Sequence, residues 1–314
     1  MRHVNVPPSR KWLNARCPLG LRMSLVLSVA RSPPLGEGEA ALLAGLVARG
    51  LQLNAAAFSG SPAAPPVDEL DRAQRSVFRR WVLEMLLALL ERPRGFNELK
   101  GAVGGPAAQS LAPKLRGLAG GGLVERSDLG GRPRRTRYAL TDAGEDVAAA
   151  VFALTHGKSE HMRALAGQGP GPSAARLDAA EPVDPFGLRG ATAAYATAAR
   201  AFMAARLERP RPPGAEGPFA TARRLSRACT RKWHAPVLSA LAERPRRFSE
   251  LRGAVLAGPE SLSHALRGLE QLRAVERAAD GAYRLTPMGA FDLALGGPVV
   301  VAAWFAAAGA VHGA

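Results

Sequence analysis

ERPRGFNELKGAV, residues 91–103, returns as ERPRRFSELRGAV at residues 243–255. At this offset of 152, Arg80-Trp81 stands beside Lys232-Trp233. One deletion later the offset is 151, and Ser110-Leu111, Leu115-Arg116-Gly117-Leu118 and Val124-Glu125-Arg126 fall on Ser261-Leu262, Leu266-Arg267-Gly268-Leu269 and Val275-Glu276-Arg277. A six-residue deletion then brings Tyr138, Leu140-Thr141 and Gly144 onto Tyr283, Leu285-Thr286 and Gly289. Order and spacing persist over about 65 residues, so each copy reads as a unit of fold.

The first copy shows what that unit is. Trp81 to Leu90 is almost continuously apolar, as a buried helix is, and Pro93 ends it by withholding a backbone donor. Asn97, and Ser249 in the second copy, precede Glu-Leu where an N-cap is wanted for a short second helix. Leu111, Leu115 and Leu118, spaced four and three apart, form the apolar stripe of a third helix, which Gly120–Gly122 closes. Leu123-Val124 opens a strand, Gly130-Gly131 turns it, Thr136–Leu140 returns, and a helix opens at Thr141-Asp142. The expected fold is mainly α with small β-hairpins (α+β), built as two winged helix-turn-helix domains in tandem. Residues 1–71 read as an N-terminal extension and 72–157 as the first domain; 158–218 read as a Pro/Gly/Ala-rich linker with a helix near 191–207, and 219–314 as the second domain with an apolar packing helix.

Charge follows the repeat. The net charge is +16, and residues 72–140 and 223–284 carry surpluses of nine and seven that together account for it. Such fields favour polyanions. Cys17 and Cys229 are too few for a disulfide framework, which points to a reducing cytoplasm. Ser24–Ala30 is weak as the apolar core of a leader, and a start at Met23 accounts for the basic first 22 residues at least as well. Leu293–Ala314 carries no charged side chain, but Gly296, Gly297 and Pro298 interrupt it and Ala dominates it. It therefore reads as a packing helix and not a membrane span.

Both copies resemble the HxlR family of winged-helix regulators. The resemblance rests on Trp81, Phe96-Asn97-Glu98-Leu99, Leu115-Arg116-Gly117-Leu118, Gly122-Leu123-Val124-Glu125-Arg126 and Tyr138-Ala139-Leu140-Thr141 in the first copy. In the second it rests on Trp233, Phe248-Ser249-Glu250-Leu251, Leu266-Arg267-Gly268-Leu269, Val275-Glu276-Arg277 and Tyr283-Arg284-Leu285-Thr286. It implies a transcriptional regulator of double-stranded DNA, expected as a repressor, whose third helix enters a major groove while the wing touches phosphates. Recognition-helix contacts would come from Gln109, Ser110, Lys114 and Arg116 in the first copy and Ser261, Ser263, His264 and Arg267 in the second, with wing contacts from Arg132, Arg134, Arg135 and Arg137. The groove-facing positions would be Gln109, Ala112, Pro113 and Arg116, and Glu260, Ser263, His264 and Arg267. Pro113 departs from the family pattern, unless Ser110 caps a shortened helix and leaves Pro113 in its first turn. The second wing has shrunk to Ala278–Ala282 with Asp280 in it, so the first copy is expected to bind more strongly.

Family members pair as homodimers, and a tandem chain would supply both heads as an intramolecular pseudo-dimer or else dimerise, with Leu293–Ala314 and its Trp304 as the packing helix. No cofactor, metal or membrane is called for, and any small-molecule effector is unknown. His156 and His161, five apart, share no helix face, and no Walker loop, GxGxxG or GxSxG occurs. Cys229 lies among Arg227, Arg231 and Lys232, which would favour a thiolate; it is a candidate redox sensor, against the plainer reading of a core thiol. An enzyme has no support. A protein-interaction scaffold with degenerate winged helices and weak DNA binding is the alternative.

Overall fold

The computed structural model describes residues 34–57, 64–130, 135–165, 187–211, 213–229, 234–255 and 257–312. It is mainly helical with two small antiparallel sheets. Helices α1 (Glu37–Ala57) and α2 (Val67–Val77) lead into α3 (Val82–Glu91), β1 (Arg94–Gly95), α4 (Phe96–Ala102), α5 (Ala108–Gly120), β2 (Val124–Gly130), β3 (Arg135–Leu140) and α6 (Asp142–Leu165). Helices α7 (Leu188–Glu208) and α8 (Pro218–Cys229) lead into α9 (His234–Glu243), α10 (Phe248–Val255), α11 (Pro259–Gln271), β4 (Val275–Arg277), β5 (Tyr283–Leu285) and α12 (Pro287–His312). The two runs have the same order, apart from β1, which shrinks to a single bridge between Arg246 and Tyr283.

The residues shared between the runs make the same bonds in each. Arg94 Nε donates to Ala88 O at 2.8 Å while its terminal nitrogen holds Glu91; Arg246 Nε donates to Ala240 O at 2.8 Å and holds Glu243. Arg92 pairs with Glu98, and Arg244 with Glu250. Thr141 Oγ1 donates to Gly122 O at 2.6 Å and accepts from Gly144 N at 3.0 Å; Thr286 Oγ1 donates to Arg273 O at 2.5 Å and accepts from Gly289 N at 3.1 Å. The glycine three places on is required in both, since a Cβ on Gly144 or Gly289 would stand 1.9 or 2.0 Å from the carbonyl oxygen of Leu123 or Ala274.

Three local expectations need correction. The short helices α4 and α10 begin at Phe96 and Phe248, one residue before the expected caps Asn97 and Ser249. The glutamate does the capping instead: Glu98 Oε2 accepts from Gly95 N at 2.8 Å and Glu250 Oε2 from Arg247 N at 2.7 Å. Those bonds, with the neighbouring Arg92 and Arg244, hold both carboxyls below their ordinary pKa. Ser110 does not cap α5, which starts two residues earlier and places Pro113 well inside it. Gln109 O therefore lacks the donor that residue 113 would supply.

The third correction concerns domain limits. Within the expected N-terminal extension, residues 37–57 form a helix, and the helix expected near 191–207 spans 188–208; Leu46 and Leu53 of α1 and Tyr195 and Phe202 of α7 are buried in the larger core. Lys158–Leu165 belongs to α6. α12 contributes Phe291, Leu295, Val299 and Val301 to that same core, alongside α3 and α6. It also contributes Leu293 to the smaller core, which is built largely from α9 to α11. The packing is reciprocal: α6 lies on α12, α1 on α12, α7 on α6, α2 on α12, α8 on α6, and α1 on α7. Glu39 of α1, buried, pairs with Arg206 at 3.1 Å and Arg209 at 2.9 Å at the end of α7.

Helices α1 and α12 are long and apolar enough to cross a membrane by length and composition; here they pack on each other. Where they cross, Pro298 leaves Ala294 O without its i+4 donor, and Gly50 stands so close that a Cβ would be 1.8 Å from that oxygen. Asn54 Nδ2 donates to Leu293 O at 2.9 Å beside it.

Candidate nucleic-acid interface

Helix α5 buries Leu111, Leu115 and Leu118 and turns Gln109, Ser110, Pro113 and Arg116 outward. Ala112 is half-buried between them. Lys114 is half-buried too, on the flank toward α2 and α12, where its ammonium donates to Ser110 O at 2.8 Å. It stands apart from the face that carries Gln109 and Arg116, so the expected cluster of four splits into three outward side chains and one turned sideways.

The hairpin beside α5 is a seven-residue and a six-residue strand paired from Val124↔Leu140 to Gly130↔Arg135, with a bulge near its tip. Alternation along β3 puts Tyr138 and Leu140 toward the core and Arg135 and Arg137 outward, both exposed. Neither joins an ion pair among the described residues. Arg126 on β2, opposite Tyr138 and also exposed, adds a cation that reading by motif overlooked because it belongs to the shared Val-Glu-Arg framework. Arg132 and Arg134 lie outside the described residues, as do Trp233 and the side chain of Cys229.

In the second run, α11 starts cleanly, with Gly258 as N-cap and Pro259 in the first turn. Glu260, Ser261, His264 and Arg267 are exposed and Ser263 is half-buried. Its hairpin closes with a tight turn in which Gly281 takes φ 82° and Asp280 Oδ1 accepts from Ala282 N at 3.0 Å. The arginines of this hairpin are engaged locally: Arg284 Nε bonds Glu276 at 2.6 Å, and Arg277 lies over the Tyr283 ring at 5.8 Å.

Several of the arginines in the basic segments are structural. The ERPR arginines of both runs pair with Glu91, Glu98, Glu243 and Glu250, while Arg116 on α5, Arg267 on α11 and Arg126, Arg135 and Arg137 on the first hairpin are exposed. Trp81 is half-buried at the N-cap of α3 with φ 76°, its ring covered by Arg80 at 4.6 Å, so it anchors a helix start.

No group of three or more His, Cys, Asp or Glu side chains that could hold a metal ion occurs among the described residues. His161, fully buried, lies with Nδ1 at 2.8 Å from Asp292 Oδ1 and Nε2 at 2.8 Å from Leu272 O, while Lys158 pairs with the other oxygen of Asp292. Burial pushes the Asp292 carboxyl up, but Lys158 and His161 outweigh it and hold the group well below its ordinary range. His156 stacks against Phe152 at 4.4 Å, and burial lowers its pKa to about 3, with Arg206 adding to the effect.

Residues 76–165 match the family described as HxlR-like helix-turn-helix. The uncharacterized HTH-type transcriptional regulator Rv3095 of Mycobacterium tuberculosis is 33% identical over 95 residues, 30% of this chain and 60% of the relative. The uncharacterized HTH-type transcriptional regulator YtfH of Escherichia coli is 34% identical over 80 residues, 26% of this chain and 64% of the relative. The chain thus spans a little under two thirds of these relatives. No solved structure matches it significantly. Over residues 76–165, then, the chain is similar to HxlR-like helix-turn-helix domains.

Proposed function

We propose that this protein is a DNA-binding transcriptional regulator, acting as a repressor, in which α5 reads a major groove and the hairpin β2–β3 grips the adjacent phosphates. The observation that carries it is the pairing of an outward Gln109–Arg116 face with a two-stranded wing whose Arg135 and Arg137 point away from the core, in the segment with the family match. Phosphate contacts by such a wing bind all sequences alike and weaken as salt rises, because they release counterions. Replacing Arg134 and Arg137 with Ala should lower affinity for every duplex and flatten the salt slope in an anisotropy titration. An unchanged slope rejects the wing.

The second run is read as a second winged helix, with the reciprocal packing of α1, α2, α6, α7, α8 and α12 making the chain an internal pseudo-dimer, monomeric in solution. Two adjacent half-sites should be protected in a footprint. Engagement of Arg277 and Arg284 within their own hairpin favours a weaker second head, and a scaffold role for that half is the alternative. Protection of a single half-site would favour it.

A further inference from the structure

A cleft of about 380 Å³ opens between α2, α5 and α12, within the range of small-molecule sites, roughly 300–1,000 Å³. Leu118, Leu123 and the indole of Trp304 line its apolar part, and Arg72, Arg79 and Lys114 stand around it. Glu69, the one acid in the lining, accepts from Trp304 Nε1 at 2.7 Å. Arg72 also meets Asp68 at 3.6 Å, on the exposed side.

The equivalent space in the other half is filled. Helices α6 and α12 correspond at a constant offset of 145 from their threonine caps, which sets Met162 and Arg163 against Ala307 and Ala308. The repeat likewise sets Leu225 against Ala73 and Leu272 against Gly121. Met162, Leu225 and Leu272 are buried together in the smaller core. At these four places the cleft side carries the smaller residue, whereas Trp304, Leu123 and Lys114 of its lining stand against the smaller Ser159, Ala274 and Ala265. The exchange removes side chains that fill the other half and puts an indole and an ammonium at the edge of the space left, which gives the cleft an apolar floor and a cationic rim.

We infer that this cleft is an effector site for a small aromatic carboxylate. The ring lies on the apolar lining against Trp304, and the carboxylate meets Arg72, Arg79 and Lys114, which outnumber Glu69 three to one. The site touches the reading helix directly through Pro113, Lys114 and Gly117. An anion here draws the Lys114 ammonium from Ser110 O, in the turn where Pro113 already omits a bond to Gln109 O. Ligand and DNA are thereby coupled through one helix. That coupling, unlike the binding itself, rests on the reading of α5 proposed above.

The test titrates the full chain with 2-naphthoate and its neutral isostere 2-naphthamide by calorimetry. Naphthoate should saturate a single site and bind roughly tenfold or more tightly than the amide. Arg72→Gln with Arg79→Gln should raise its Kd about tenfold. Ala307→Met, which installs the side chain of the closed half, should remove saturable binding while the circular dichroism melt stays in place. In a parallel anisotropy titration at fixed salt, naphthoate should shift the wild-type affinity for a fluorescent duplex by about fivefold or more, and leave that of Ala307→Met unmoved. Equal binding of acid and amide, no saturable binding of naphthoate, or undiminished binding by folded Ala307→Met or by the arginine double variant overturns the site. Normal naphthoate binding with no shift in DNA affinity overturns the coupling. A wild-type chain that binds no DNA at any salt rejects the regulator reading, while the calorimetry still decides the cleft.

Discussion

Replacing Asp292 with Ala leaves the Lys158 ammonium and the His161 ring facing a gap between α6 and α12, with Lys158 only 7% and His161 0% exposed. Removing one partner of a buried pair costs roughly 3–5 kcal/mol, since the remaining charge stays desolvated. In a chain of this size that corresponds to a fall in Tm of about 6–15 °C. The decisive comparison is a double variant. Val147 and Ala303 stand at the positions equivalent to Asp292 and Lys158 in the other half of the repeat, so Asp292→Val with Lys158→Ala installs a combination the fold already uses. It should recover to within about 2 kcal/mol of the wild type, because no uncompensated charge remains. Urea unfolding of the wild type, both single variants and the double variant closes the cycle, and the coupling should be about 2 kcal/mol or more. The wild type should also lose stability as pH falls below 3.8, the ordinary carboxyl value. The unfolded carboxyl takes up its proton before the folded one, so the pair's contribution is complete above that pH and drains below it. Strictly additive losses, or an Asp292→Ala variant within about 1 kcal/mol of wild type, would refute the reasoning.

Three further outcomes are expected. Because His156 is held neutral with a folded pKa of about 3 against 6.5 unfolded, stability should be full above pH 6.5 and fall below it by up to about 1.4 kcal/mol per pH unit; His156→Leu should flatten that slope in pH-stepped urea melts. Gly50→Ala should lower stability by about 2 kcal/mol or more, because its Cβ meets Ala294 O, whereas Gly45→Ala, with open space around it, should gain up to about 1 kcal/mol. Pro113→Ala should stabilise α5 by about 1–3 kcal/mol, seen as slower amide exchange in its first two turns; unchanged exchange would mean that the missing bond does not weaken the helix.

Much of the reading unit is legible because its signals are local. The Leu111, Leu115, Leu118 stripe is buried at 4% exposure or less, as its spacing requires, and the strand residues expected from Val124 and up to Leu140 pair as β2 and β3. Asn97 and Ser249 misled because they are good caps by type, while the glutamate one residue later reaches back and wins. Helix α1 carries Leu, Val and Ala around much of its circumference, so periodicity does not mark a buried face, and its partner residues lie on α7 and α12. The Lys158, His161, Asp292 cluster joins residues 131 or more apart, and the Glu39–Arg206 pair spans 167. No spacing rule reaches so far. The cleft beside α5 brings together residues of α2, α5 and α12 that lie far apart in the sequence, so no local pattern announces it.

The place of α12 also governs how the chain can be made. Phe291, Leu295, Val299 and Val301 complete a core whose other members begin at Leu43, so during synthesis the earlier half waits for residues made some 250 positions later. Domain-by-domain folding on the ribosome, the usual safeguard of long chains, is closed to this architecture. Until α12 is made, α1, α2 and α6 lack the helix against which they pack in the finished chain.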